Sequence, residues 1–325
     1  MNDKNIIKVL LIIIILCIIL PIFLFLIKIF YKHFVNEKNL PERYGKGSWV
    51  VITGASRGQG KLLAEEFAMR HFNLILIGSS RTYKSANEIK RKYPDCKIKI
   101  IERDFSESLN NDEWWTEIEK IFNGSYDISI LVNNVGKRTA SNPSHSQSDE
   151  KIKESLITGT YPQAKLTKLA LQYMTKREQL KPQYKSAIIF NTAQCIHPTF
   201  GLASNITGEI SIPYLAVYEA TNAFGFYHAN SIISEYKVSN PNIDMLNIMP
   251  GAVLTENTQY LINTPFAIDA KFFAKNIIRL LGNWHGSTCA YWGHDISSLL
   301  IGLAPWKKEE MLRKVGLTLA ENLKE

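Results

Sequence analysis

Residues Thr53-Gly-Ala-Ser-Arg-Gly-Gln-Gly60 (TGASRGQG) follow directly on an apolar run, Trp49–Thr53 (WVVIT), and precede a helix-periodic stretch, Lys61–Arg70. Glycines at 54, 58 and 60 let the backbone turn tightly and come close to a bound pyrophosphate. The amides of a following helix N-terminus then meet its charge. A strand before the glycines and a helix after them, near the start of an α/β pattern, turn a common triplet into a dinucleotide-binding signature.

Outward from this loop, short apolar runs alternate with amphipathic stretches. Strands are expected at Trp49–Thr53, Asn73–Ile77, Lys97–Ile101, Ile128–Asn133, Ala187–Thr192, Ile243–Ile248 and Thr288–Trp292. Helices are expected at Lys61–Arg70, Lys84–Tyr93, Asp112–Phe122, Glu150–Thr175, Tyr214–Tyr236 and Ala267–Leu281, with Pro162 arguing against regular helix around it. Near-continuous apolar strands separated by helices specify a parallel sheet covered on both faces, a doubly wound α/β fold of Rossmann type.

Ahead of this pattern, Val9–Ile27 contains no charged residue and is bracketed by Lys8 and Lys28. Its nineteen residues are about the length needed to cross a bilayer. No small-residue cleavage site follows, which favours a retained anchor over a signal peptide. The expected organisation is an anchor at 1–30, a juxtamembrane linker at 31–47, and one domain at 48–325 ending in tail helices. Lys28, Lys32 and Lys38 slightly outnumber Lys4 and Lys8, so the positive-inside rule turns the body towards the cytosol or matrix.

The 325 residues are 46% hydrophobic and carry a net charge of +8. Without an Arg-rich or aromatic-interleaved basic patch, that charge does not point to nucleic acid. Cys17, Cys96, Cys195 and Cys289 are widely spaced and contain no C-x-x-C pair, so neither a disulfide framework nor a metal site is expected. Cys195 and His197 lie close together, but no acidic orienter is evident for a nucleophilic site.

TGASRGQG, Asn133-Asn-Val-Gly136 after the fourth strand, Tyr218 opening a helix, and Pro250-Gly251 with Thr255 after the sixth strand together resemble the short-chain dehydrogenase/reductase family. Within it the chain is similar to membrane-anchored 3-oxoacyl-CoA reductases and 17-beta-hydroxysteroid dehydrogenases of the type 12 kind. The resemblance spans roughly 44–305. It implies cofactor contacts at Thr53, Gly54, Ser56, Arg57, Gly58, Gly60, Arg81, Asp104, Asn133, Gly136, Pro250, Gly251 and Thr255. Gly78–Arg81 (GSSR) offers no acid to a ribose 2′-hydroxyl, whereas Arg57 and Arg81 suit a 2′-phosphate, so NADP(H) is favoured over NAD(H). His294 matches a structural histidine of the tail.

The catalytic positions depart from that pattern. The family's tyrosine is Tyr218, but Asn222 stands where its lysine would be, Gln194 where its serine would be, and Gly159 where its asparagine would be. The stretch before Tyr218 is longer than usual, and Ser204, Thr207 or Ser211 could replace the serine. An amide carries no charge with which to stabilise a phenolate. The expectation is therefore a membrane-anchored, NADP(H)-binding but catalytically impaired protein in a structural or accessory role, as a membrane-complex subunit or homo-oligomer. The alternative is an active NADPH-dependent reductase of long-chain 3-oxoacyl-CoA, steroid or similar lipid ketones. Endoplasmic reticulum and mitochondrial inner membrane both fit the anchor.

Overall fold

The computed structural model describes residues 3–303 except 125, 137–142, 194–211 and 257, together with 310, 313–318 and 321. The chain divides into two units, Met1–Asn36 and Glu37–Glu325.

The first unit is helical: α1 (Asp3–Ile14), a π turn at Ile15–Ile19, and α2 (Leu20–Phe34). Pro21 has no N–H for the carbonyl of Cys17, so the ladder ahead of it widens to π geometry rather than breaking. The stretch Asn5–Phe34, 30 residues, is long and apolar enough to cross a membrane. Ile12, Leu16, Phe23 and Leu24 are among its exposed side chains.

The second unit opens with α3 (Leu40–Tyr44), which sequence had assigned to a linker. Leu40 and Tyr44 are fully buried, so the body begins before residue 48. The alternating pattern then folds as β1 (Trp49–Thr53), α4 (Gly58–Met69), β2 (Asn73–Gly78), α5 (Thr82–Lys92), β3 (Ile98–Glu102), α6 (Asp112–Phe122), β4 (Ile128–Asn133), α7 (Asp149–Leu180) and β5 (Ser186–Asn191). It continues with α8 (Ala216–Ser239), β6 (Ile243–Ile248), β7 (Val253–Leu254), β8 (Ile268–Asp269), α9 (Ala270–Leu280), β9 (Gly286–Thr288) and α10 (Trp292–Leu303).

Seven strands form one parallel sheet in the order β3-β2-β1-β4-β5-β6-β9, with β7 and β8 as a separate parallel pair. Leu63 and Phe67 of α4, Ile89 of α5 and Phe273 and Ile277 of α9 cover one face. Trp115 and Ile118 of α6, Leu166 and Met174 of α7 and Ile233 of α8 cover the other. The chain reverses its winding between β1 and β4, and a doubly wound sheet opens a crevice at the strand C-termini there.

Two sequence expectations differ from the structure. The last strand was expected at Thr288–Trp292, but it pairs Gly286, Ser287 and Thr288 with Leu246, Asn247 and Ile248. β6 ends at Ile248, so nothing continues the ladder beyond Thr288, and Trp292 starts a helix. Pro162, expected to disturb helix geometry, lies inside the unbroken α7. The 32-residue helix packs along the core on both sides of it, and this burial outweighs the one lost backbone bond.

At the sheet end opposite the crevice, Arg43 donates two hydrogen bonds to Asp244 at 2.6 and 2.9 Å, and the Tyr44 hydroxyl donates to the same carboxylate at 2.7 Å. Burial and the adjacent carboxylate hold the Tyr44 phenol well above its ordinary pKa. Arg177, 2% exposed, donates to Tyr44 O and Asp127 and ties α3 to α7. Asp244→Ala leaves the Tyr44 hydroxyl and Arg43 without this acceptor. The expected cost is about 3 kcal/mol, read as a lower denaturant midpoint with an unchanged slope.

Candidate active site

The Gly loop is shaped by close backbone approach. Gly54 and Gly58 have φ of 68° and 57°, a region that L side chains rarely enter. A Cβ on Gly60 would lie 2.4 Å from Gly54 O and 2.5 Å from Asn134 Nδ2, so only glycine lets α4 start there. Thr53 Oγ1 accepts from the backbone N–H groups of Asn134 and Val135 at 2.9 and 3.0 Å. Asn134 Nδ2 returns to Thr53 O and Gly54 O at 3.0 and 3.3 Å. These bonds clamp the loop to the end of β4.

A cleft of about 860 Å³ opens above this clamp, towards the upper end of the range for small-molecule sites. Gly54, Ser56, Arg57, Gly58, Gly60, Arg81, Asp104, Gly136, Gly159, Tyr218, Asn222, Pro250 and Thr255 all line it. Thr53, Asn133 and Gly251 do not, although sequence placed them among the cofactor contacts. Thr53 works beneath the loop, and Asn133 turns to α7, donating to Thr167 Oγ1 at 2.9 Å. The Gly251 N–H donates to His294 Nδ1 at 3.1 Å, giving the buried His294 its structural role. Gln194, Cys195, His197, Ser204, Thr207 and Ser211 lie outside the described residues.

Successive strand residues face opposite sides, so of two consecutive asparagines only one can serve the Gly loop. Here it is Asn134, which the sequence reading passed over. Gln59, Thr158, Gln163, Asn191 and Thr258 also line the cleft. Their signal in sequence is weak, since neutral polar residues near strand ends are ordinary.

Arg57 and Arg81 are exposed at the rim, and no acidic residue occupies Gly78–Arg81. Asp104 Oδ1 accepts from Ser106 N at 2.9 Å and Ser106 Oγ at 2.7 Å, which fixes the loop after β3. The cradle that a Cβ would fill at Gly60, the first turn of α4 and two rim guanidinium groups fit a 2′-phosphorylated dinucleotide.

Tyr218 and Asn222 lie one turn apart on α8, and the Asn222 amide donates to Tyr218 O at 2.9 Å. Neighbouring Thr221 is buried against α7, where a Cβ on Gly159 would meet Thr221 Cβ at 2.6 Å, Oγ1 at 2.8 Å and Cγ2 at 3.0 Å. The space for a side chain at 159 is therefore filled from α8. Thr158 Oγ1 is buried with no hydrogen-bond partner among the described residues, and Pro162 has no N–H for the Thr158 carbonyl. Gln163 Nε2 bridges α7 to α8, 3.4 Å from both Gly225 O and His228 Nδ1.

Comparison with known proteins bears on this arrangement. The short chain dehydrogenase profile matches residues 48–190. Human 17-beta-hydroxysteroid dehydrogenase type 3 is 30% identical over 278 residues, covering 82% of this chain and 79% of its own. The chain belongs to the short-chain dehydrogenase/reductase family. Another relative of this short-chain dehydrogenase is the very-long-chain 3-oxoacyl-CoA reductase of Podospora anserina, 27% identical over 80% of this chain and 72% of its own. Among solved structures, a 7beta-hydroxysteroid dehydrogenase covers 86% of this chain with a TM-score of 0.65 at 19% identity, matched over 100% of its own length. A short-chain dehydrogenase from Sphingobium yanoikuyae, solved with NADPH, covers 83% of this chain and 95% of its own, with a TM-score of 0.59 at 20% identity. These two likenesses support the fold.

Two predictions follow from the contacts of α8. Gly159→Asn forces its Cβ into Thr221 and is expected to destabilise by about 1–3 kcal/mol, read from the melting temperature. Thr221→Ala does not relieve it, because the offending Cβ remains, whereas Thr221→Gly does. The second concerns Glu219, whose side chain accepts from Ile212 N at 2.8 Å. Burial pushes this carboxyl from 4.5 up to about 7, against the lowering effect of the Ile212 bond. Between those values the folded chain holds a proton that the unfolded chain has released, so stability is lost as pH rises through the window. Glu219→Gln should flatten that fall and gain on the order of 1–3 kcal/mol over the parent at pH 8, measured by denaturation across pH.

Proposed function

We propose that this chain is an NADP(H)-dependent reductase of a carbonyl group on an apolar substrate, a long-chain 3-oxoacyl thioester or steroid-like ketone, held at a membrane by its N-terminal helix. One observation carries this reading: Tyr218 lines the same cleft as the Gly loop and the rim arginines. The names of the relatives support the substrate class, and the exposed apolar side chains of Asn5–Phe34 support the anchor. Endoplasmic reticulum and mitochondrial inner membrane remain the two candidate locations.

When bound, the reduced dinucleotide supplies a hydride to the carbonyl carbon. The chain's own task is to hold the ketone and place a proton on its oxygen. Tyr218 carries that proton on its hydroxyl and regains one from solvent afterwards. The reverse oxidation needs phenolate, which the neutral Asn222 cannot stabilise electrostatically. The phenolate left when Tyr218 donates its proton is the species from which oxidation starts, so the absent charge slows both directions.

A second reading is favoured by Asn222 and by Thr221 filling the space beside Gly159. In it the chain binds the dinucleotide without turnover and acts as an accessory subunit of a membrane complex or as a homo-oligomer, stabilised by its ligand through linkage.

One set of measurements separates the two: NADPH and NADH binding by the full chain in detergent, then ketone-dependent NADPH oxidation. The reductase reading expects NADPH to bind tighter than NADH, turnover to fall at least about 100-fold in Tyr218→Phe with binding unchanged, and Asn222→Lys to lower the pH at which alcohol oxidation appears. NADPH binding with no turnover on any ketone, and no effect of Tyr218→Phe, would leave the accessory reading.

A further inference from the structure

Three amides run from the Gly loop to the end of β5. Asn191 Nδ2 donates to Asn134 Oδ1 at 2.8 Å and to Gln59 Oε1 at 3.1 Å. Their orientations are fixed by elimination. The Asn134 amide nitrogen faces two backbone carbonyls, Thr53 O and Gly54 O, so it is the donor and both its protons are spent. Asn134 therefore presents only oxygen to Asn191, which must answer with its own nitrogen. Both protons of that nitrogen go to Asn134 and Gln59, so Gln59 accepts through Oε1.

The consequence falls on the far side of Gln59. Its Nε2 carries two protons that meet no acceptor among the described residues, and its side chain lines the cleft. Asn191 cannot reverse to take them, because its nitrogen is already committed and its Oδ1 is buried without a partner. The relay presents a neutral, oriented double donor beside the Gly loop.

Its position selects which part of a dinucleotide it can reach. Arg81 and Asp104 follow β2 and β3, whereas Asn191 ends β5, three places along the sheet from β2. At about 4.8 Å per strand the separation is roughly 14 Å. Resting on the NADP(H) reading above, we infer that Gln59 is a cofactor-binding residue for the nicotinamide half: its Nε2 donates to an oxygen of the dinucleotide between the pyrophosphate and the nicotinamide, oriented by Asn191 and Asn134.

The test compares two probes by titration calorimetry on the full chain in detergent: NADPH, and adenosine 2′,5′-bisphosphate, which lacks the pyrophosphate and nicotinamide half. In Gln59→Leu, NADPH should weaken by roughly 5- to 20-fold while the bisphosphate stays within about 2-fold of the parent. Gln59→Glu keeps the size and the acceptor for Asn191 but turns an anionic oxygen to the ligand. It should lose at least as much NADPH affinity, again with the bisphosphate unchanged. Retained bisphosphate binding shows that both variants are folded. Unchanged NADPH affinity in Gln59→Leu, or equal weakening of both probes, would overturn the inference while leaving the cofactor reading intact. Failure of the parent chain to bind NADPH would overturn both.

Discussion

The cleft depends on how closely two pieces of backbone approach each other. Gly60, in the first turn of α4, sits so near Gly54 O and Asn134 that no side chain fits between them. This contact sets where α4 leaves β1, and Asn134 locks the loop to the neighbouring strand at the winding reversal. Packing on both faces of the sheet then holds the geometry in place. Without a glycine at 60 the helix would be pushed off the strand, and the amides and rim arginines would no longer share one cleft.

A chain with this loop can bind a dinucleotide whether or not it transfers a hydride. The two properties occupy different strands: the Gly loop, Arg81 and Asp104 follow β1 to β3, while Tyr218 and Asn222 ride on α8, which follows β5. A neutral side chain at 222 on α8 therefore leaves the Gly-loop end untouched. The two ends of the cleft are thus built by separate elements of the chain.

Most of the fold was legible in sequence because the strands are buried on both faces and read as apolar runs. β1, β4 and β6 fall where those runs predict, and β2, β3 and β5 shift by one residue. β9 was misplaced because its partner strand ends at Ile248, a limit that only the assembled sheet imposes. Helix α3 was missed because five residues carry too short a period to recognise, and its stability comes from Asp244, about 200 positions away. The rim and glycine positions of the site were readable from motif spacing. Asn134, Gln59 and Asn191 were not, since what marks them is the direction of their amides towards one another, and sequence carries no record of side-chain direction beyond strand alternation.

The packing of Gly159 against Thr221 also limits which residues can be placed at 159. An amide at 159 meets a β-carbon already in place, so it is accommodated only together with glycine at 221. Glycine at 221 alone would leave glycines at both 159 and 221, on facing helices, and an extra glycine within a helix costs about 1 kcal/mol. Placing an amide at 159 therefore takes two coordinated changes, and the one at 221 is unfavourable by itself.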